Sequence, residues 1–140
     1  AKKNKEKWKT FVLLGDGECQ EGSIWEALIF ANKHNLDNLI TIVDRNKLGS
    51  TDFTENNAPL EPLKNKFKSF GMDVYEIDGH NTLKIIKLLK KINTSKNKKP
   101  KIIICNTIKG KGVTFMEYYK YWHHQLPNKE EIKVALEELN

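Results

Sequence analysis

Two short apolar runs, Phe11 to Leu14 and Leu39 to Val43, stop abruptly at polar clusters, Gly15-Asp16-Gly17 after the first and Asp44-Arg45-Asn46 after the second. Runs of this kind read as strands buried on both faces, as parallel sheets require. The stretch between them has helical spacing, with Ile24, Ala27, Leu28 and Ala31 on one side, Gly22-Ser23 as a start and Asn35 as a stop. Strand, helix and strand in that order predict a right-handed crossover, which brings both strand ends to the same edge of a sheet. Ligands of open α/β sheets bind at that edge. Asp16 and Asn46 are therefore expected to meet.

The alternation continues along the chain. Leu60, Leu63, Phe67 and Phe70 mark a second amphipathic helix, Met72 to Ile77 a strand, and Thr82 to Ile92 a helix with Ile85, Leu89 and Ile92 on one face. Lys101 to Ile108 reads as a further strand, and Ile132, Ala135, Leu136 and Leu139 as a closing helix. Lys47 to Pro59 is too polar and turn-rich for a regular element, and Lys109 to Asn128 combines glycines and aromatics without a period. The expectation is an α/β fold, a mostly parallel sheet with helices on both faces, formed by residues 1–140 as a single domain.

Composition narrows the function classes. No apolar run approaches the roughly 20 residues of a membrane span, and the basic start, Ala1 to Thr10, has no apolar core of the signal-peptide type. Cys19 and Cys105 lie far apart without metal-type spacing, so they read as reduced thiols in a cytoplasmic protein. The net charge of +6 comes from lysines spread over both termini and several helices, with a local run at Lys96 to Lys101. Such a spread suits a solvated face and phosphorylated ligands, and no nucleic-acid motif accompanies it. A noncatalytic basic binding module is the alternative from another class.

The two polar clusters carry the chemistry. Asn46 follows Asp16 by about thirty positions, the length of one crossover. A carboxylate oxygen, an amide oxygen and a backbone carbonyl form a hard-oxygen set suited to Mg2+, which completes its octahedron with phosphate oxygens and water. Gly15 and Gly17 are expected to let the backbone turn tightly and approach a phosphate, with amides at the next helix start donating to it. Taken singly, Gly-Asp-Gly is better explained as a strand-to-helix turn and Asp-x-Asn as a strand terminus. Together at this interval they predict a diphosphate anchor.

The same residues resemble the signature of thiamine-diphosphate enzymes, Gly-Asp-Gly followed by Asn. The longer run Gly15-Asp16-Gly17-Glu18-Cys19-Gln20-Glu21-Gly22-Ser23-Ile24-Trp25-Glu26-Ala27 resembles the transketolase family, particularly the separate amino-terminal subunits of split transketolases. Leu36 to Ile40, Leu60-Glu61-Pro62-Leu63, Ile77-Asp78-Gly79-His80 and Thr107 to Glu117 are similar to that family in the same order.

The resemblance implies a thiamine-diphosphate- and Mg2+-binding domain of the diphosphate type, without the family's upstream segment. Its implied metal ligands are Asp16, the side-chain oxygen of Asn46 and the backbone carbonyl of Leu48. Its implied cofactor-binding residues are Gly15, Asp16, Gly17, Asn46, Leu48, Ile108 and His123, with His123 also catalytic. Glu21 corresponds to an acid at the family's subunit interface or serves as a helix-start carboxylate, and His80 reads as a turn residue. The implied reaction moves a two-carbon ketol unit from a ketose phosphate to an aldose phosphate. It needs a complementary pyrimidine-domain partner in a homo- or hetero-oligomer, so the chain alone is expected to be inactive. Two departures stand out: His124 replaces a usual glycine, and Ser50 replaces a usual apolar residue near the cofactor. Another thiamine-diphosphate enzyme, of the deoxyxylulose-phosphate synthase or dehydrogenase-component type, is the alternative within the superfamily.

Overall fold

The computed structural model describes residues 1–140, the side chain of Lys120 excepted. Four strands form one parallel sheet: β1 (Thr10–Gly15), β2 (Leu39–Arg45), β3 (Asp73–Asp78) and β4 (Lys101–Asn106), in the spatial order β1-β2-β4-β3. The helices are α1 (Gly22–Lys33), the short α2 (Thr54–Asn57), α3 (Leu63–Ser69), α4 (Thr82–Thr94) and α5 (Lys129–Leu139). Among the described residues no helix is long and apolar enough to cross a membrane.

The expected architecture is present, with helices on both faces. Side chains of adjacent strand residues point to opposite faces, so Ile102 and Ile104 of β4 join Val43 and Leu14 under α1 and α3. Ile103 and Cys105 face the other way, with Ile40, against Ile92, Leu88 and Leu89 of α4. The first layer is anchored by Phe67, fully buried and stacked 5.3 Å from the Trp25 ring. Removing such a ring costs about 3–5 kcal/mol.

The layers are not equally closed. Phe11 and Leu13 of β1 point to the α4 side, where little covers them, and are 56% and 71% exposed. Sequence reasoning also placed Ala27 on the inner face of α1, yet it is exposed, because that helix rests on Leu28 and Ala31 with Ile24 and Trp25 partly buried. Strand β4 ends at Asn106 rather than Ile108. Its ladder breaks because the Ile108 N–H turns to the His80 ring instead of to a strand.

At the carboxyl edge, β1 and β2 pair through Gly15 and Asp44. The segments that leave these two strands therefore start side by side, and the Asp16 N–H donates to the Asp44 carbonyl at 3.1 Å.

Candidate functional site

Asp16 caps a short 3-10 turn, Gly17–Gln20, that leads into α1. The turn is pinned from below: Cys19 is fully buried, and its carbonyl accepts the Trp25 indole N–H at 2.9 Å. Asp16 is itself buried. Its Oδ2 accepts the Lys47 N–H at 2.6 Å and its Oδ1 the Gly17 N–H at 2.9 Å. Burial raises the Asp16 pKa, while the bonds from Lys47 and Gly17 pull it down. A carboxylate that burial leaves under-compensated is a group that a cation would relieve.

The Lys47 bond also fixes the β2 terminus. Lys47 adopts a left-handed φ of 66°, unusual for a residue with a side chain, and so reverses the chain between Asn46 and Leu48. The Asn46 Oδ1 accepts the Leu48 N–H at 2.9 Å. Leu48 is buried, and among the described residues its carbonyl oxygen accepts no hydrogen bond. Asp16 and Asn46 thus converge, and the Leu48 carbonyl has lone pairs to offer.

A cavity of about 350 Å³ opens on this junction, lined by Gly15, Asp16, Gly17, Asn46, Leu48 and Ser50 on one side and by Lys109 and His123 on another. Among the described residues no three His, Cys, Asp or Glu side chains cluster to hold a metal. A cation here would take one carboxylate plus amide and carbonyl oxygens, and would need further oxygens from an anionic ligand. That donor set fits Mg2+ bound together with a diphosphate.

The glycines fit as well, though for another reason than the sequence suggested. Neither Gly15 nor Gly17 has a left-handed φ. A Cβ at Gly15 would meet nothing within 4 Å, and one at Gly17 only ordinary contacts with Gly49 and Thr54 at 3.7 and 4.0 Å. The fold does not require a missing side chain at either place, although both residues line the cavity.

His123 reaches this cavity from the 3-10 turn Lys120–His123. Partial desolvation, then the charges of Lys109 and His124, hold its pKa below the ordinary histidine value. His124 has φ −125°, which any residue adopts, so the loop needs no glycine there. Ile108 does not line the Asp16 cavity. It lines a neighbouring one of about 520 Å³ that shares Asn46, Leu48 and Lys109 with the first. Glu21 sits at the start of α1, makes no side-chain cap bond and accepts from the Ser23 hydroxyl at 3.4 Å on the cavity wall.

Sequence reasoning passed over three participants. Lys109, half-buried and without an ion pair among the described residues, borders both cavities. Lys47 supplies the reversal between two candidate ligands. His80 is more than a turn residue, since its Nε2 accepts the Ile108 N–H at 2.8 Å. Only the left-handed position leaves no trace in the residue type; the two others are hidden by the many lysines and by the Asp-Gly-His turn pattern.

Comparison with known proteins adds to this geometry. Residues 2–139 match the family model described as "Transketolase, thiamine diphosphate binding domain". An apulose-4-phosphate transketolase subunit from Actinobacillus succinogenes is 45% identical over 139 residues, covering 99% of this chain and 50% of that protein. A 6-deoxy-6-sulfo-D-fructose transketolase subunit from Clostridium sp. is 42% identical over 129 residues, covering 92% of this chain and 46% of that protein. The crystal structure of a transketolase from Campylobacter jejuni superposes with a TM-score of 0.84 at 35% identity, covering 95% of this chain and 21% of that one. The chain thus spans about half the length of the curated relatives it matches.

Proposed function

The chain belongs to the transketolase family, as its thiamine diphosphate binding domain, and on that premise we propose that residues 1–140 act as one diphosphate-binding unit of a ketol-transferring enzyme. The observation that supports the reading is that Asp16, Asn46 and Leu48 line one cavity together with Lys109 and His123.

In this reading Asp16, the Asn46 side chain and the Leu48 carbonyl hold Mg2+. Gly15 and Gly17 leave room for the diphosphate, and Lys109 balances its charge. Ser50 walls the same cavity, and Ile108 walls the neighbouring one. Bound thiamine diphosphate supplies thiazolium chemistry that cleaves and forms carbon–carbon bonds beside a carbonyl. His123, whose pKa its surroundings lower, is placed to hold or pass a proton at its ring nitrogens beside the anionic ligand.

The substrates we propose are a ketose phosphate donor and an aldose phosphate acceptor. Two of the relatives are named as subunits, not as whole enzymes. By analogy this chain works with a complementary pyrimidine-domain subunit in a homo- or hetero-oligomer, and turns over little by itself. A cytoplasmic setting accords with two buried free thiols, Cys19 and Cys105.

Calorimetry tests the reading: thiamine diphosphate is titrated into the chain with and without Mg2+, alongside Asp16→Ala. Binding that requires Mg2+ and disappears in the variant is the expected result. Equal binding by both proteins, or none by the wild type at millimolar ligand and Mg2+, would remove the cofactor assignment. Product analysis with ketose phosphates against pyruvate, in the presence of the complementary subunit, separates ketol transfer from the other reactions of the superfamily.

A further inference from the structure

His80 lies outside the Asp16 cavity, yet it is bonded to the segment that delivers Lys109 to that cavity. The turn from β3 to α4 is held firmly. The Asp78 Oδ1 accepts the His80 N–H at 2.9 Å, the Asp78 carbonyl accepts the Asn81 N–H at 3.2 Å, and Asn81 caps α4 by accepting from Lys84. The turn also sits hard against the end of β4. Its Gly79 N–H donates to the Asn106 carbonyl at 2.8 Å, and a Cβ on Gly79 would fall 2.5 Å from Thr107 Cγ2 and 3.0 Å from Cys105 Cβ. The imidazole therefore stands on a rigid post.

From that post its Nε2 accepts the Ile108 N–H at 2.8 Å. An acceptor at Nε2 means a neutral ring with its proton on Nδ1, because an imidazolium has only donors. The preceding residue is tied to β2: the Thr107 N–H donates to the Arg45 carbonyl at 3.1 Å, and the Thr107 hydroxyl donates to the Asp44 carboxylate. Beyond Lys109, Gly110 has φ 74°, and a Cβ there would strike Met116. Lys109 thus hangs from a short segment clamped on both sides, and the His80 bond is the clamp immediately before it.

We propose that His80 is a positioning residue, whose Nε2 fixes the Ile108 peptide so that Lys109 faces the cavity shared by Asp16 and His123. This rests on the cofactor reading only where affinity for thiamine diphosphate is concerned; the placement of Lys109 beside His123 is a property of the chain itself. The substitutions follow the atoms. His80→Ala removes the acceptor, whereas His80→Gln places an amide oxygen near the position of Nε2.

The test is NMR on the full chain with both variants, Lys109→Ala and the His80→Ala/Lys109→Ala double variant, melting temperatures being recorded for each. In His80→Ala the Ile108 amide exchanges faster, and the His123 pKa rises as it does in Lys109→Ala, because a positive neighbour has moved off. In His80→Gln both return toward wild type, and the double variant equals Lys109→Ala. Affinity for Mg2+–thiamine diphosphate falls about fivefold in His80→Ala and recovers in His80→Gln. Faster Ile108 exchange with the His123 titration unmoved would overturn the proposal, as would equal damage from Ala and Gln with a lowered melting temperature. If the wild type shows no Mg2+-dependent binding, the cofactor reading fails, and the His123 titration still decides where Lys109 stands.

Discussion

Two neighbouring parts of one sheet edge treat their polar groups differently. Over β2, β3 and β4 the protein satisfies itself: Arg45 pairs with Glu61 and donates to Asn106 at 3.1 Å, Asn106 donates to Glu76 at 3.1 Å, and Glu76 stands 3.5 Å from Lys64. Over β1 and β2, among the described residues, the buried carboxylate of Asp16 has only backbone N–H donors and no paired side-chain cation, and the Leu48 carbonyl has no donor. The first region is built for cohesion, and the second keeps oxygen lone pairs in reserve at some cost to stability. Such under-compensation beside self-sufficient surroundings supports the proposed ligand site more than either motif alone.

Substitutions should separate the two regions. The largest effect is expected for Asp16→Ala, which lowers Mg2+-dependent affinity for thiamine diphosphate by at least about a hundredfold, as removal of a metal ligand should exceed the 10- to 100-fold cost of losing its supporting partner. Calorimetry reads the affinity, and an unfolding curve that stays cooperative shows that the loss is local. Next come Gly15→Ala and Gly17→Ala, for which affinity should drop about tenfold while stability holds or rises by about 0.4–1 kcal/mol, since the fold has room for either methyl group. A loss of stability with affinity intact would reverse the assignment of those glycines.

Arg45→Ala should behave the opposite way. It costs about 1 kcal/mol of unfolding free energy, discounted because the Glu61 partner is 40% exposed, and changes affinity little. Denaturant titration measures the first and calorimetry the second. The smallest effect concerns His123. Its pKa in the folded chain lies below the ordinary value of 6.5, so the unfolded chain takes up a proton first as the pH falls. Stability should therefore decline as the pH drops through the unfolded value toward the folded one, and Lys109→Ala should weaken that decline.

Much of this was legible in the residue order. The sheet followed from apolar runs that alternate with helical spacing, and the meeting of Asp16 with Asn46 from the single crossover between them. What escaped was nonlocal or conformational. The left-handed Lys47 cannot be read from a residue type that seldom adopts that shape. The His80 bond spans 28 positions, and its partner is a backbone N–H, which every residue but proline carries. Lys109 looked like any other lysine of a basic chain until its neighbours were placed around the cavity. Ala27 was misplaced because spacing identifies a helical face but not how far the neighbouring layer extends.

The strand that leads into Asp16 is one of the two edge strands of the sheet, bonded among the described residues to a neighbour on one side only. An ion gripped by Asp16 and Asn46 would staple that rim strand to β2, so that occupancy and fraying of the rim become a single equilibrium. Loading the pocket should then slow deuterium uptake along Phe11 to Gly15, well beyond the atoms that touch the ligand.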